Sequence, residues 1–116
     1  MTFNFIIIFT SILTGSVGLI AGAILKKYPP KDINWWYGYR TKRAMESQEK
    51  WDFAQKCGAE NMIKYSLILF FTSIVGFFID ERNHLLSLGI VMFTNLLWVF
   101  LIVYKTEAKL KITFDK

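Results

Sequence analysis

Charged residues divide the chain into stretches of contrasting character. An uncharged run covers Met1 to Leu25, a polar block covers Lys26 to Asn61, and two further apolar runs cover Tyr65 to Ile79 and Leu85 to Tyr104. A helix rises about 1.5 Å per residue, so residues 3–25 reach roughly 34 Å against a hydrocarbon core of about 30 Å. Residues 85–104 reach roughly 30 Å and close on Trp98 and Tyr104, aromatic side chains of the kind that settle at the headgroup level. The middle run is shorter and spans only if Met62, Ile63 and the stem of Lys64 lengthen it, which sets the second span at 62–79. Asp80 to His84 suffices to reverse the chain and nothing more, so the second and third helices form an antiparallel hairpin.

The pattern therefore predicts an all-α integral membrane protein with three transmembrane helices, a single domain over residues 1–116. The composition agrees, with 53% of 116 residues hydrophobic despite the polar block. It excludes a soluble globular domain and a disordered chain, and the single cysteine, Cys57, excludes a disulfide scaffold. Ala21-Gly22-Ala23 has the look of a leader cleavage site. However, no Lys or Arg precedes the first run, which is also longer than a leader's apolar region, so an uncleaved anchor is expected.

The chain has fourteen Lys and Arg residues. With three spans, thirteen of them (the polar block, Lys64 and the C-terminal tail) fall on one side. The positive-inside rule makes that side cytoplasmic and leaves the N-terminus and the 80–84 turn outside. The net charge of +5 then reflects membrane orientation. No basic recognition helix or zinc pattern points to nucleic acid.

Within the first helix Ser11, Gly15, Gly18 and Gly22 form a stripe of small residues along which another backbone can approach closely, either in the same chain or in a second copy of a homo-oligomer. Asn95 is the most polar residue at bilayer depth in the third helix and is expected to face protein. No ionisable residue sits in the middle of a span, which argues against an ion-coupled pump. One His and one Cys cannot form a catalytic triad or a zinc set, and Asp80 with His84 reads as a solvated turn. No catalysis, metal or cofactor is expected.

The block at 26–61 is too long and too aromatic for a flexible linker. Tyr28-Pro29-Pro30 ends the first helix. Asn34 to Thr41 then packs four aromatics around Gly38, which suits a tight turn, while Asn34 caps or closes it. From Ser47 the pattern turns helical, with Glu46–Lys50 and Asp52–Lys56 at i,i+4 and Trp51, Ala54 and Gly58 on one face. That predicts an amphipathic interfacial helix lying on the inner membrane surface, anchored by Trp51. Arg40 is the leading candidate for a ligand or lipid contact, because a guanidinium beside aromatic rings can hold a phosphate or carboxylate. Its structural alternative is an ion pair with Glu46 or Glu49.

The string Asn34-x-x-Tyr37-Gly38-Tyr39-Arg40-Thr41, followed by Ala44-Met45, Ser47, Glu49, Trp51, Ala54 and then a span, resembles the SdpI family of bacterial integral membrane proteins. That family is named for an immunity protein against a sporulation-delaying toxin. The resemblance implies a bacterial cell-membrane protein that protects its cell from a membrane-active peptide or signals in response to one, with a peptide toxin and a cytoplasmic regulator as partners. A small oligomeric channel or transporter subunit is the alternative, with the small-residue stripe as its assembly seam.

Overall fold

A computed structural model describes residues 4–115. Phe3, the expected start of the first span, lies outside the described residues. The described residues form three α-helices: α1 (Phe5–Lys27), α2 (Gln48–Phe71) and α3 (His84–Phe114). A 3₁₀ segment, Thr72–Phe77, continues α2. Each helix starts where a short polar side chain accepts an otherwise orphaned backbone donor. Asn4 accepts from Ile7 N, Ser47 from Lys50 N and Asn83 from Leu86 N. Helix α1 stops at Tyr28, one residue before Pro29-Pro30, and Lys26 and Lys27 fill its last turn, where cations suit the helix dipole.

The helices pack in antiparallel sequence. Helix α1 buries Ile7, Ser11, Gly15, Gly18, Gly22 and Leu25, a stripe at helical spacing, and most of its contacts are with α2. The glycines permit that closeness. A Cβ on Gly15 would lie 2.9 Å from the Phe70 backbone, and one on Gly22 would lie 2.9 Å from Ile63 Cγ1. On Gly18 a Cβ would be 2.7 Å from Trp98 Cζ2 and closer still to Ser66 Oγ. The small-residue stripe is thus filled within the chain.

Polar side chains stitch the bundle along its length. Asn4 is fully buried; its Nδ2 donates to Ser87 Oγ at 2.6 Å and its backbone N–H to Gly76 O at 2.8 Å, tying α1 to both other helices at the turn end. Thr72 Oγ1 donates to Ser11 Oγ at 3.2 Å, Trp98 Nε1 to Ser66 Oγ at 3.1 Å, and Asn61 Nδ2 to Thr106 Oγ1 at 2.9 Å. Asn95 takes a different place. It is half-buried, and its Nδ2 donates to the Val91 carbonyl of its own helix at 2.7 Å rather than to another helix.

Large apolar side chains point outward from this small and polar interior. Phe9, Val17, Ile20, Phe71, Phe93 and Leu96 are all more than half exposed. Such a surface suits hydrocarbon, where interhelical packing relies on small residues and hydrogen bonds rather than on burying Leu and Phe. Helices α1 and α3 are long and apolar enough to cross a membrane.

Two expectations are corrected. No separate interfacial helix exists, because residues 48–61 are the first half of α2 itself. Ser47 supplies the cap, nothing breaks the helix before Phe71, and the face carrying Trp51, Ala54 and Gly58 packs against protein. Helix α3 does not end at Tyr104 either; it runs 31 residues to Phe114, roughly 46 Å. Its last turns bury Thr106 beside Asn61 of α2, and Leu110 against Ala54 of α2 and Tyr39 and Ala44 of the loop between α1 and α2.

Candidate functional site

The polar end of the bundle gathers the loop 28–47, the start of α2 and the end of α3. Asn34 organises the loop locally. Its Oδ1 accepts from Trp36 N at 3.0 Å and Tyr37 N at 2.8 Å, and its Nδ2 donates to Asp32 O at 2.9 Å. This is the side-chain mimicry of a turn for which Asn is suited. Tyr37 OH donates back to Tyr28 O at 2.6 Å, closing the loop on the end of α1. Gly38 follows with φ +106°, in the left-handed region.

Beyond the turn the loop is gripped by α2 and α3. Gln55 of α2 binds the Tyr39 backbone twice: Tyr39 N donates to Gln55 Oε1 at 2.7 Å, and Gln55 Nε2 donates to Tyr39 O at 2.8 Å. Trp51 is fully buried and donates from Nε1 to Pro30 O at 2.8 Å. Tyr39, Ala44, Ala54 and Leu110 form a small core, flanked by Phe53 and Phe114, whose rings meet edge to face at 5.6 Å. Glu107 of α3 completes the grip. It accepts from Tyr39 OH at 2.8 Å and from Thr41 Oγ1, and pairs with Arg43 at 3.2 Å. Arg43 also reaches Asp115 at 2.5 Å. Burial, and then the Glu107 carboxylate, push the Tyr39 phenol far above its ordinary range, so it remains a donor.

One side of this assembly opens into a cleft of about 450 Å³. Ala21 and Leu25 of α1, Met62 of α2 and Val103 of α3 make its floor, while Trp35 and residues 37–41 make its wall. Arg40 stands in that wall, exposed, and donates from Nη1 to the Trp35 carbonyl. Among the described residues no carboxylate pairs with it: Glu46 takes Lys50 at 2.5 Å, and Glu49 is exposed in the first turn of α2, where a negative charge suits the helix N-terminus. The expected pairing of Arg40 with Glu46 or Glu49 is corrected accordingly. Asp52, expected to meet Lys56, instead accepts from Gln48 at 2.8 Å.

The structure thus brings Tyr37, Gly38, Tyr39, Arg40 and Thr41 together around one cleft. Asn34 and Trp51 shape it from behind, and Glu49 stands apart. Gln55, Arg43 and Glu107 were not singled out by sequence reasoning. The available signal was the i,i+4 run of charges continuing the third helix past Tyr104, which reads equally as a solvated tail. Chemically the cleft offers the Arg40 guanidinium over an apolar floor, since the hydroxyls of Tyr37, Tyr39 and Thr41 already donate to Tyr28 O and Glu107. Glu107 is engaged by two hydroxyls and a guanidinium, and burial pushes the Cys57 thiol up, which keeps it in the poorly nucleophilic form. Among the described residues no three His, Cys, Asp or Glu side chains gather as a metal set.

Comparison with known proteins matches these elements. The chain is similar to the uncharacterized protein YfhL of Bacillus subtilis (strain 168), at 34% identity over 103 residues, 89% of this chain and 87% of that one. No solved structure matches. A family model described as the SdpI/YfhL protein family matches residues 31–105, from the loop that carries the cleft through α2 and most of α3, and on that coverage the chain belongs to the SdpI/YfhL family.

Proposed function

We propose that the chain is a three-span membrane protein, N-terminus outside and polar end cytoplasmic, that gives immunity to a membrane-active peptide toxin or signals its presence. The observation that carries this reading is the match of the family over residues 31–105, which takes in most of the cleft-bearing loop, α2 and α3 as far as the level of the cleft floor. The middle span draws support from the 3₁₀ segment. At about 2.0 Å per residue it stretches residues 62–77 to roughly 27 Å, close to the hydrocarbon thickness. Cytoplasmic placement of the polar end follows from its cations. A catalytic role finds no activated nucleophile or free general base in the cleft. The channel alternative loses its seam, since the stripe Ser11, Gly15, Gly18 and Gly22 is occupied by α2 and Trp98.

The test is protection of membrane potential. Toxin-sensitive bacteria expressing the chain are exposed to secreted peptide toxins of neighbouring strains while a voltage-sensitive dye is read. Wild type is expected to hold the potential, and Arg40→Ala at equal membrane abundance is expected to lose that protection. A correctly inserted wild type that protects against no toxin and alters no response to one would overturn the reading.

A further inference from the structure

We propose that the cleft at the polar end holds one anionic phospholipid of the surrounding membrane, with its phosphate on Arg40 and its glycerol and upper acyl chains over Ala21, Leu25, Met62 and Val103. The inference rests on the membrane placement proposed above. Depth is the first argument. Leu25 immediately precedes Lys26 and Val103 lies two residues before Lys105, while on α2, which runs the opposite way, Met62 follows Glu60 by two residues. On α1 and α3 the floor of the cleft is the last apolar level before the charges begin, and on α2 it is the first apolar residue after Glu60 and Asn61, with Lys64 one half-turn deeper on that helix. The cleft wall, with Tyr37, Arg40 and Thr41, stands at the headgroup level. Apolar below and cationic above, at Arg40, is the polarity profile of an anionic lipid, not of a soluble anion.

Charge is the second argument. No Asp or Glu lines the cleft, and Arg40 has no carboxylate partner among the described residues. Its one hydrogen bond, to the Trp35 carbonyl, steers the guanidinium and leaves further N–H groups to donate. Of the acids near the wall, Glu107 is held by Tyr39, Thr41 and Arg43, and Glu46, which lines a neighbouring hollow with Trp35 and Arg40, is held by Lys50. A guanidinium without a counter-ion over an apolar floor favours a phosphate that brings no cation of its own, hence an anionic rather than a zwitterionic headgroup. The volume, about 450 Å³, falls within the roughly 300–1,000 Å³ of small-molecule sites. Exposed Trp35 at the rim would cover the headgroup.

The experiment uses the full chain reconstituted in phosphatidylcholine vesicles containing a rising fraction of phosphatidylglycerol brominated high on its acyl chains. Quenching summed over the four tryptophans reports contact with the membrane, and the part of it lost in Trp35→Phe reports contact at Trp35. Wild type is expected to show a component that saturates at low phosphatidylglycerol fraction and that brominated phosphatidylcholine does not reproduce. Arg40→Gln should shift that saturation about tenfold upward. Val103→Phe, which fills the floor and keeps the cation, should abolish it. Lys31→Gln, which removes a different cation from the same loop, should leave it unchanged. Quenching that follows bulk composition in wild type, or a component unaltered in both Arg40→Gln and Val103→Phe, would overturn the proposal and leave the cleft to a peptide. Absence of quenching by either brominated lipid would instead sink the membrane placement, and the lipid site with it.

Discussion

Gly38 occupies a backbone conformation that L side chains rarely adopt, and a Cβ there would lie 2.5 Å from Gln55 Oε1 and 2.7 Å from Pro30 Cγ. Gly38→Ala combines backbone strain of about 1–3 kcal/mol with displacement of the side chain that holds Tyr39. Its thermal unfolding midpoint in detergent should fall by several degrees; an unchanged midpoint would mean that the turn can relax without Gln55. Tyr39 makes a separate, pH-dependent contribution. The folded state keeps its phenol protonated above the ordinary value of 10.0, whereas the unfolded chain releases that proton. The stabilisation is complete below pH 10 and declines as pH rises beyond it. The wild type's stability margin over Tyr39→Phe should therefore shrink between about pH 8 and about pH 11. Chemical denaturation at each pH measures this, and a margin independent of pH would show that the phenol titrates normally.

At the scale of the helix, glycines with the same intrinsic propensity have opposite roles. A Cβ on Gly18 would overlap Ser66 and press on Trp98, where α1, α2 and α3 come together. A Cβ on Gly89 of α3 would meet nothing within 4 Å. Gly18→Ala should destabilise by about 1–3 kcal/mol through overpacking, while Gly89→Ala should be neutral or stabilise by up to about 1 kcal/mol through lower backbone entropy. Unfolding in a graded sodium dodecyl sulfate mixture separates the two, and equal effects would refute the close approach at Gly18. The spacing of 11, 15, 18 and 22 was legible in the sequence because it depends only on helical period. The role of Asn4 was not, since its partners Gly76 and Ser87 lie more than seventy residues away.

At the scale of the molecule, the end of α3 is the structural support of the loop. Without residues 105–116 the loop loses Glu107, Leu110 and the partner of Arg43, while the spans keep their own contacts. Truncation after Tyr104 should leave a membrane-inserted protein in which trypsin cuts at Arg40, Lys42 or Arg43 faster than it does in wild type. Cutting should occur in inside-out vesicles and not in right-side-out ones. Cutting no faster than in wild type would remove α3 from the role of support, and cutting in the opposite vesicles would reverse the topology.

Sequence alone determined what depends on local period and on transfer from water. Apolar runs give helices, Tyr28-Pro29-Pro30 ends one and Ser47 starts another, and the resemblance through Asn34 to Ala54 named the family. Tertiary structure decided the rest. Whether residues 48–61 form a helix of their own or the first half of a longer one, and whether the charged residues after Tyr104 are a tail or part of a helix, depends on partners distant in sequence. Amphipathicity shows that a face must be covered but not by what. Here Tyr39, Ala44 and Leu110 cover it, and that packing turns a loop and a basic tail into a walled cleft.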